Sequence, residues 1–334
     1  MKKVLITGAS GFVGSFLVEE AIKRGYKPIA GIRTSSSKKY LQQPEVDFIY
    51  FNLFDKEQIK QQLNEYVQKN GKIDYIIHNA GVTKVKRLDE FMKVNYECTR
   101  NFVEALIESN HIPEKYIQIS SLAAFGPGSN KSLEPVKLND IPQPNTEYGR
   151  SKLKAEEFVR SKTELPWIVF RPTGVYGPRE TDYFVYLQTI KRGFEPYIGF
   201  KSQHLTFIYV KDLARLAFDA LESPIKHQAY FIADGNVYLS EEYAAIVKKH
   251  LHKKTIKLRV PLFLVKFISI ILESFFGLFG RTPVLNKDKY NILSSLNWKC
   301  EVEPLYRDFN FKAQYDLDKG VKESIDWYKE NKWL

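Results

Sequence analysis

The sequence predicts an α/β protein: a doubly wound parallel sheet with a smaller C-terminal α+β domain. Three observations carry the prediction. Apolar strand-like runs alternate with helix-like runs through the first half of the chain, as they do where a parallel sheet is covered on both faces. The first of these runs, Val4-Leu5-Ile6, leads directly into a glycine-rich turn that opens a helix. The length, 334 residues, accommodates one large domain or two linked ones.

The turn comes first. Thr7 to Gly14 read TGASGFVG, with glycines at Gly8, Gly11 and Gly14. Gly8 allows a tight turn out of the strand, Gly11 lets backbone approach a pyrophosphate, and Gly14 lets the next helix pack close to the sheet. The helix N-terminus presents unpaired N–H groups and partial positive charge to phosphates. A strand before and a helix after supply the context this fingerprint needs. Gly8, Gly11, Phe12, Val13 and Gly14 are therefore candidate dinucleotide-binding residues of a Rossmann-type unit.

Strands are expected at 3–7, 28–32, 46–51, 73–78, 116–120 and 167–171, with helices at 12–24, 56–69 and 94–109 among them. A carboxylate about 20 residues past the glycines would bind the ribose hydroxyls of NAD. The chain has GIRTSSSKK there, with Arg33 at the strand end and Lys38 and Lys39 shortly after. An arginine suits a 2′-phosphate through charge-assisted, bidentate bonds, so the reading prefers NADP to NAD; the competing reading is a solvated basic loop. Asn52 and Leu53, after the third strand, are expected to border the adenine. Ala80 and Gly81, in HNAG after the fourth, are expected beside the cofactor.

Tyr148 and Lys152 stand four residues apart in YGRSK, so on a helix they share one side. A free phenol, with a pKa near ~10, is a poor acid or base at neutral pH. A lysine ammonium close by favours the phenolate by ~4 kcal/mol at an effective dielectric near ~20, enough to make Tyr148 a general acid or base. Ser121 follows the fifth strand in ISSLAAFG and can hydrogen-bond a substrate carbonyl or hydroxyl. Alone, the pair also fits a surface helix with a solvated lysine.

With these motifs in this order, the chain resembles the extended short-chain dehydrogenases/reductases, the NAD-dependent epimerase/dehydratase family. The resemblance rests on TGASGFVG, HNAG, Asn95 in VNYECTRN, SSLAAFG, YGRSKLKAEEFV and RPTGVYGPRE at 171–180. It is firm over about 1–235 and loose beyond. It implies a catalytic group of Ser121, Tyr148 and Lys152 with Asn95 in support, and places Pro172 and Thr173 near the nicotinamide. Tyr209-Val210-Lys211-Asp212 resembles the family's later H-V-x-D segment, with tyrosine for histidine. Sugar 4,6-dehydratases of the family carry an Asp-Glu pair after the catalytic hydroxyl. Here Leu122-Ala123 follows Ser121, and neither can transfer a proton, which argues against that reaction. The family's habit of dimerising implies a homodimer, for which the sequence offers no independent sign.

The domain expectation is a cofactor-binding domain at 1–175, rejoined by about 206–234, and a substrate domain at 176–205 and 235–334. That second domain contains an unusual apolar run, 260–280 (VPLFLVKFISIILESFFGLFG), broken only by Lys266, Ser269, Glu273 and Ser274. The basic tract KKTIKLR at 253–259 precedes it. Three readings stand: a buried helix or helical hairpin, a segment lying on anionic lipid, and a spanning helix just long enough. Within the resembled family, such segments are a feature of the branch of 3β-hydroxysteroid dehydrogenases and dihydroflavonol reductases.

Composition bounds the rest. The formal net charge of +11 suits phosphates, an anionic membrane or nucleic acid. The absence of any helix-turn-helix, zinc-finger or RNA-binding signature sets nucleic acid aside. Cys98 and Cys300 sit in no metal or redox spacing, which argues a reducing compartment without disulfides. The run after Met1 is the first strand rather than a signal peptide. The expected location is cytoplasmic, at the membrane surface if the lipid reading holds. No metal is expected: His250 and His252, two apart, would face different sides of a helix. His204 either borders the substrate or is solvated. The final DWYKENKWL reads as an amphipathic helix with Trp327 and Trp333 packing.

The functional expectation is an NADP- or NAD-dependent oxidoreductase interconverting a ketone and a secondary alcohol on a hydrophobic small molecule. The alternatives are a nucleotide-sugar epimerase with tightly held NAD and, third, a nucleotide-sensing protein without turnover.

Overall fold

The computed structural model describes residues 1–277, 283 and 285–334. The chain divides into two compact units. The first comprises Met1–Ala124, Glu147–Arg171 and Leu213–Tyr230; the second comprises Phe125–Thr146, Pro172–Asp212 and Phe231–Leu334.

The alternating pattern of the first half becomes β1 (Lys3–Thr7), α1 (Phe12–Lys23), β2 (Lys27–Ile32), β3 (Asp47–Tyr50), α2 (Lys56–Asn70), β4 (Tyr75–His78), α3 (Asp89–Phe91), α4 (Cys98–Glu108), β5 (Lys115–Ile119), α5 (Glu147–Arg160) and β6 (Trp167–Pro172). These strands pair in parallel, β3 on β2, β2 on β1, β1 on β4, β4 on β5 and β5 on β6. With β11 (Gln228–Ile232) at one edge, the sheet has seven strands in the order β11-β6-β5-β4-β1-β2-β3. Strands 2 and 3 lie to one side of β1 and strands 4 to 6 to the other. The direction of winding therefore reverses between β1 and β4, where ligands of open α/β sheets bind beyond the strand C-termini.

Both faces of the central strands are buried, as successive Val4, Leu5 and Ile6 show, and on one face Leu5, Ile76, Tyr116 and Val169 join Ile59, Leu63, Phe102 and Leu106 of α2 and α4 in one core. That double burial is why these strands read as continuous apolar runs. The helix expected at 94–109 is not uniform. Met92–Glu97 form a π-helical turn, and α-helix resumes at Cys98. At this widened turn the Asn95 side chain bonds the backbone of another loop.

The second unit carries β7 (Gly174–Tyr176), α6 (Asp182–Lys191), β8 (Phe194–Ile198), β9 (His204–Leu205), β10 (Phe207–Tyr209), the start of α7 (Val210–Glu222), β12 (Tyr238–Leu239), α8 (Ser240–Leu251), β13 (Ile256–Val260), α9 (Leu262–Gly277), α10 (Lys287–Ser294), α11 (Glu303–Phe309) and α12 (Leu317–Glu330). Its strands form two-stranded ribbons, β10 with β7, β12 with β9 and β13 with β8. An aromatic core holds it: Tyr176, Phe207, Tyr209, Tyr243 and Tyr328 with Leu187, Val247 and Val321. Trp327 and Trp333 pack against each other and against Tyr328 at its rim. His250 pairs with Asp318 at 3.0 Å, and His252 ends α8 in a left-handed conformation.

The apolar run at 260–280 is only partly helix. Val260 ends β13, α9 covers Leu262–Gly277, and 278–280 lie outside the described residues. Among the described residues no helix is long and apolar enough to cross a membrane. The buried-helix expectation also fails, because Phe263, Phe267, Ile270, Ile271 and Phe275 are exposed and only a narrow stripe through Val265 and Ser269 is buried. Composition alone could not separate these outcomes, since an apolar helix has no intrinsic preference for core or lipid.

Candidate active site

The glycine turn closes as its sequence requires. Gly8 has φ +66°, and a Cβ there would lie 2.9 Å from the Ala80 Cα. A Cβ on Gly14 would fall 2.2 Å from the Gly8 carbonyl oxygen and 2.7 Å from the Ala9 Cα. The close approach at Gly14 is thus between helix and turn rather than between helix and sheet, the partner the sequence suggested. Gly11 is the N-cap of α1, and Phe12 and Val13 begin the helix. The result is bare backbone at a helix N-terminus, at the point where the sheet reverses, which fits a dinucleotide pyrophosphate.

The other expected cofactor residues follow the neighbouring strands of the first unit, except Pro172 and Thr173. Arg33 follows β2, is exposed, and its backbone N–H donates to Ser36 Oγ at 3.2 Å. Lys38 lies over the rings of Phe48 and Tyr50, 4.3 and 5.1 Å from their centroids. Asn52 and Leu53 follow β3: Asn52 Oδ1 accepts from Phe54 N, and Leu53 packs on the core. Ala80 and Gly81 follow β4 beside the turn. Pro172 and Thr173 belong to the second unit, where Thr173 bonds the Ile232 carbonyl through its backbone N–H and its hydroxyl.

A directed hydrogen-bond chain ties the ends of β1 and β4 to the π-helical turn. Ala80 N–H donates to Thr7 Oγ1 at 3.1 Å, and Thr7 Oγ1 meets His78 Nδ1 at 2.9 Å. His78 Nε2 meets Thr99 Oγ1 at 3.1 Å, and Thr99 Oγ1 donates to the Asn95 carbonyl at 2.8 Å. Each threonine has one hydroxyl proton. Thr99 uses its proton on Asn95, so His78 Nε2 carries a proton and Nδ1 accepts from Thr7. Burial pushes the His78 pKa down to about 3, with the nearby Lys152 charge adding to the effect, so the ring is neutral as the chain demands.

Asn95 is buried and satisfied on both sides. Its Oδ1 accepts from Val82 N at 2.8 Å, and its Nδ2 donates to the Val82 carbonyl at 3.1 Å and to Ser151 Oγ at 3.0 Å. Ser151 Oγ donates in turn to the Tyr148 carbonyl at 2.7 Å. Sequence reasoning missed Ser151; a small polar residue on the inward side of an amphipathic helix was the available signal.

Tyr148, Lys152 and Glu156 recur every four residues along α5 and so share a face. Ser121 begins the turn after β5, its hydroxyl accepting from Ala123 N at 3.1 Å and hydrogen-bonded to the Tyr148 phenol. Burial raises the phenol pKa, and the Ser121 bond, which favours the phenolate, offsets part of that rise. The Lys152 ammonium, expected to act directly on the phenol, donates to the Ile119 carbonyl at 2.7 Å. It also lies close to Gly81, where an added Cβ would stand 3.5 Å from Nζ and 3.0 Å from Asn95 Oδ1. Burial lowers the Lys152 pKa to about 8, against the opposing pull of Glu156.

Glu156 and Arg171 were not singled out from the sequence as site residues. Glu156 is fully buried; its Oε2 accepts from Arg171 Nε at 2.9 Å and Nη2 at 2.7 Å, and Ser120 Oγ bonds its Oε1. The i, i+4, i+8 recurrence of Tyr148, Lys152 and Glu156 was the signal that could have found it. Asp212, in the segment resembling H-V-x-D, accepts from the backbone N–H groups of Gln314 and Tyr315. Tyr209 stacks on Tyr315 at 4.2 Å, so both serve packing in the second unit.

The geometry unites Ser121, Tyr148, Lys152, Asn95 and Gly81 in the first unit. It offers a phenol that can exchange a proton, a hydroxyl beside it, and a cation on the same helix face. Leu122 and Ala123, which follow Ser121, carry no titratable group.

The model of the NAD dependent epimerase/dehydratase family matches residues 4–233. Similar proteins include a ceramide reductase of Caulobacter vibrioides, 25% identical over 99% of this chain and 96% of that one. A decarboxylating sterol-4-alpha-carboxylate 3-dehydrogenase of Dictyostelium discoideum is 26% identical over 97% of this chain and all of that one. In fold the chain is similar to the UDP-glucose 4-epimerase of Thermotoga maritima solved with UDP-glucose, with TM-score 0.78, 19% identity, and coverage of 98% of this chain and 99% of that one.

Proposed function

This chain belongs to the NAD-dependent epimerase/dehydratase family of enzymes, and from that premise we propose that it interconverts a ketone and a secondary alcohol on a hydrophobic substrate, with NADP preferred to NAD. The observation that carries the reading is the Ser121–Tyr148 hydrogen bond on the helix face that also holds Lys152, with no second acid–base pair after Ser121.

A nicotinamide supplies or takes the hydride when bound. The residues of the chain manage the oxygen and its proton. In the reductive direction Ser121 holds the substrate oxygen and Tyr148 gives it a proton; in the oxidative direction Tyr148 takes the proton while Ser121 still holds the oxygen. Lys152 carries the positive charge that favours the phenolate once the proton has left. Its pKa, down to about 8, means that this charge is lost as pH rises through that value. Asn95 and Ser151 hold the start of α5 in register. Arg33, exposed at the end of β2, takes the 2′-phosphate.

The preference for a hydrophobic substrate is supported by the two relatives named for ceramide and sterol chemistry. A nucleotide-sugar epimerase with tightly held NAD is the second reading, supported by the likeness to the UDP-glucose 4-epimerase fold and by the same three side chains. Nucleotide released on denaturing the purified protein separates the two. Retained stoichiometric NAD favours the epimerase, which must regenerate its cofactor in place; no retained nucleotide, with NADPH rebinding more tightly than NADH, favours the reductase.

Tyr148→Phe is expected to lower turnover by about 100-fold or more, the scale of a lost general acid, while nucleotide binding persists. Unchanged turnover would remove Tyr148 from the chemistry. Arg33→Asp is expected to weaken NADPH binding by far more than NADH binding, read by fluorescence titration; equal losses would remove Arg33 from the 2′-phosphate.

A further inference from the structure

Between Lys253 and Phe275 the second unit reverses ordinary surface chemistry. On α9, Phe263, Phe267, Ile270, Ile271 and Phe275 recur at the i, i+4, i+7, i+8, i+12 spacing of one helix face. That face is turned outward: Phe263 is 73% exposed and Phe267 62%, whereas Val265 on the opposite face is 3% exposed. The neighbouring ribbon repeats the pattern. β13 pairs in parallel with β8, Ile256 beside Phe194 and Leu258 beside Pro196, and Ile256, Leu258 and Phe194 are all exposed. Phe200, which follows β8, is exposed as well. Gly199 joins the two features, its N–H donating to the Val260 carbonyl at 2.7 Å, and a Cβ added there would stand 3.3 Å from Leu262 Cγ of α9.

Positive charge accompanies this apolar surface. Lys253 and Lys254 precede β13, Lys257 lies within it and Lys266 stands on α9, all exposed. Exposed apolar side chains in company with exposed lysines are the composition of a helix lying in a lipid interface. Among the described residues no helix is long and apolar enough to cross a membrane, and the exposed face of α9 suits lying along a bilayer surface. A second copy of the chain would bring the same positive charge to the contact. An anionic bilayer brings the opposite charge together with an apolar interior.

We propose that α9, with the β8–β13 ribbon and its lysines, docks this enzyme on the surface of an anionic membrane, which then supplies its hydrophobic substrate. The substrate clause rests on the ketone–alcohol reading above; the docking does not. The chain is therefore expected to sediment with vesicles of equal parts phosphatidylcholine and phosphatidylglycerol at low salt. It should leave them at high salt and ignore vesicles of phosphatidylcholine alone.

The double variant Phe263→Ser/Phe267→Ser removes the apolar anchor and the triple variant Lys253→Glu/Lys254→Glu/Lys257→Glu reverses the charge. Each is expected to reduce vesicle partition by about ten-fold or more, with thermal midpoint and NADPH affinity unchanged. Two results would overturn the proposal: no binding of the unaltered protein at low salt, or binding that survives both variants. A third is a dimer in sedimentation equilibrium that Phe263→Ser/Phe267→Ser dissolves without any vesicle binding, which would assign the face to a second copy. Vesicle partition reads neither turnover nor nucleotide, so failure here leaves the catalytic reading intact, and failure of Tyr148→Phe leaves the docking intact.

Discussion

The α5 region of the first unit and the α9 region of the second break the same rule in opposite directions. Around α5, charged and polar groups are inside: Glu156 and Arg171 are buried, as are Asn95, Ser151, Lys152 and His78. Around α9, large apolar groups are outside. Unpaired burial of a charge is costly, and the α5 groups avoid that cost because partners from β5, β6 and the π-helical turn meet them within the unit. Apolar side chains carry no such requirement for a specific partner. The α9 face keeps its lowest free energy only when something apolar covers it. The lesson is that a buried polar cluster explains itself from within, whereas an exposed apolar face points outside the chain.

The sharpest way to break this contrast is to remove one half of the buried pair. Arg171→Met leaves the Glu156 carboxylate buried without its cation, and is expected to cost ~3–5 kcal/mol in chemical denaturation. The double change Glu156→Met/Arg171→Met removes both charges and should recover most of that loss. If Arg171→Met costs no more than a surface substitution, the pair is not what holds β6 to α5.

A more gradual effect, tunable by pH, comes from His78. Its folded pKa lies near 3, below the ordinary value. The unfolded chain therefore binds a proton that the folded chain refuses between about pH 6.5 and 3, and stability is lost as pH falls through that window. The loss approaches ~1.4 kcal/mol per pH unit. His78→Gln sacrifices the Thr7 and Thr99 bonds at neutral pH, but its deficit against the unaltered protein should narrow on acidification. A constant deficit from pH 7 to 4 would mean that His78 titrates normally.

The smallest effect is expected on α9. Phe267→Ser, at a mostly exposed position, should shift unfolding stability by no more than ~0.5 kcal/mol in the absence of lipid. A loss of several kcal/mol would show that the helix face is part of a core after all, and the contrast with α5 would collapse.

Much of the first unit was legible in the sequence because its determinants are local. The strand positions followed from apolar runs that must be buried on both faces. Gly8 and Gly14 were readable because no other residue fits a positive φ of +66° beside Ala80, or a Cβ position 2.2 Å from a carbonyl oxygen. Tyr148 and Lys152 were readable because helix periodicity alone puts them on one face. The second unit was less legible. Its short strands pair across long sequence separations, such as β13 with β8 and β12 with β9, and no local pattern sets those registers.

The sequence by itself thus determined the strand–helix alternation, the glycine turn and the shared face of Tyr148 and Lys152. Each depends on backbone geometry within a few residues. Only the tertiary structure decided what those groups meet. Lys152 turns to the Ile119 carbonyl and Tyr148 keeps a raised pKa. Asn95 reaches Val82 from a widened turn, and Glu156 finds Arg171 on β6. The same holds for α9, where composition supplied an apolar helix and the tertiary structure alone decided that its wide face would look outward. The physical reason is common to all of these: solvation and pairing depend on neighbours distant in sequence, and those neighbours exist only once the chain has folded.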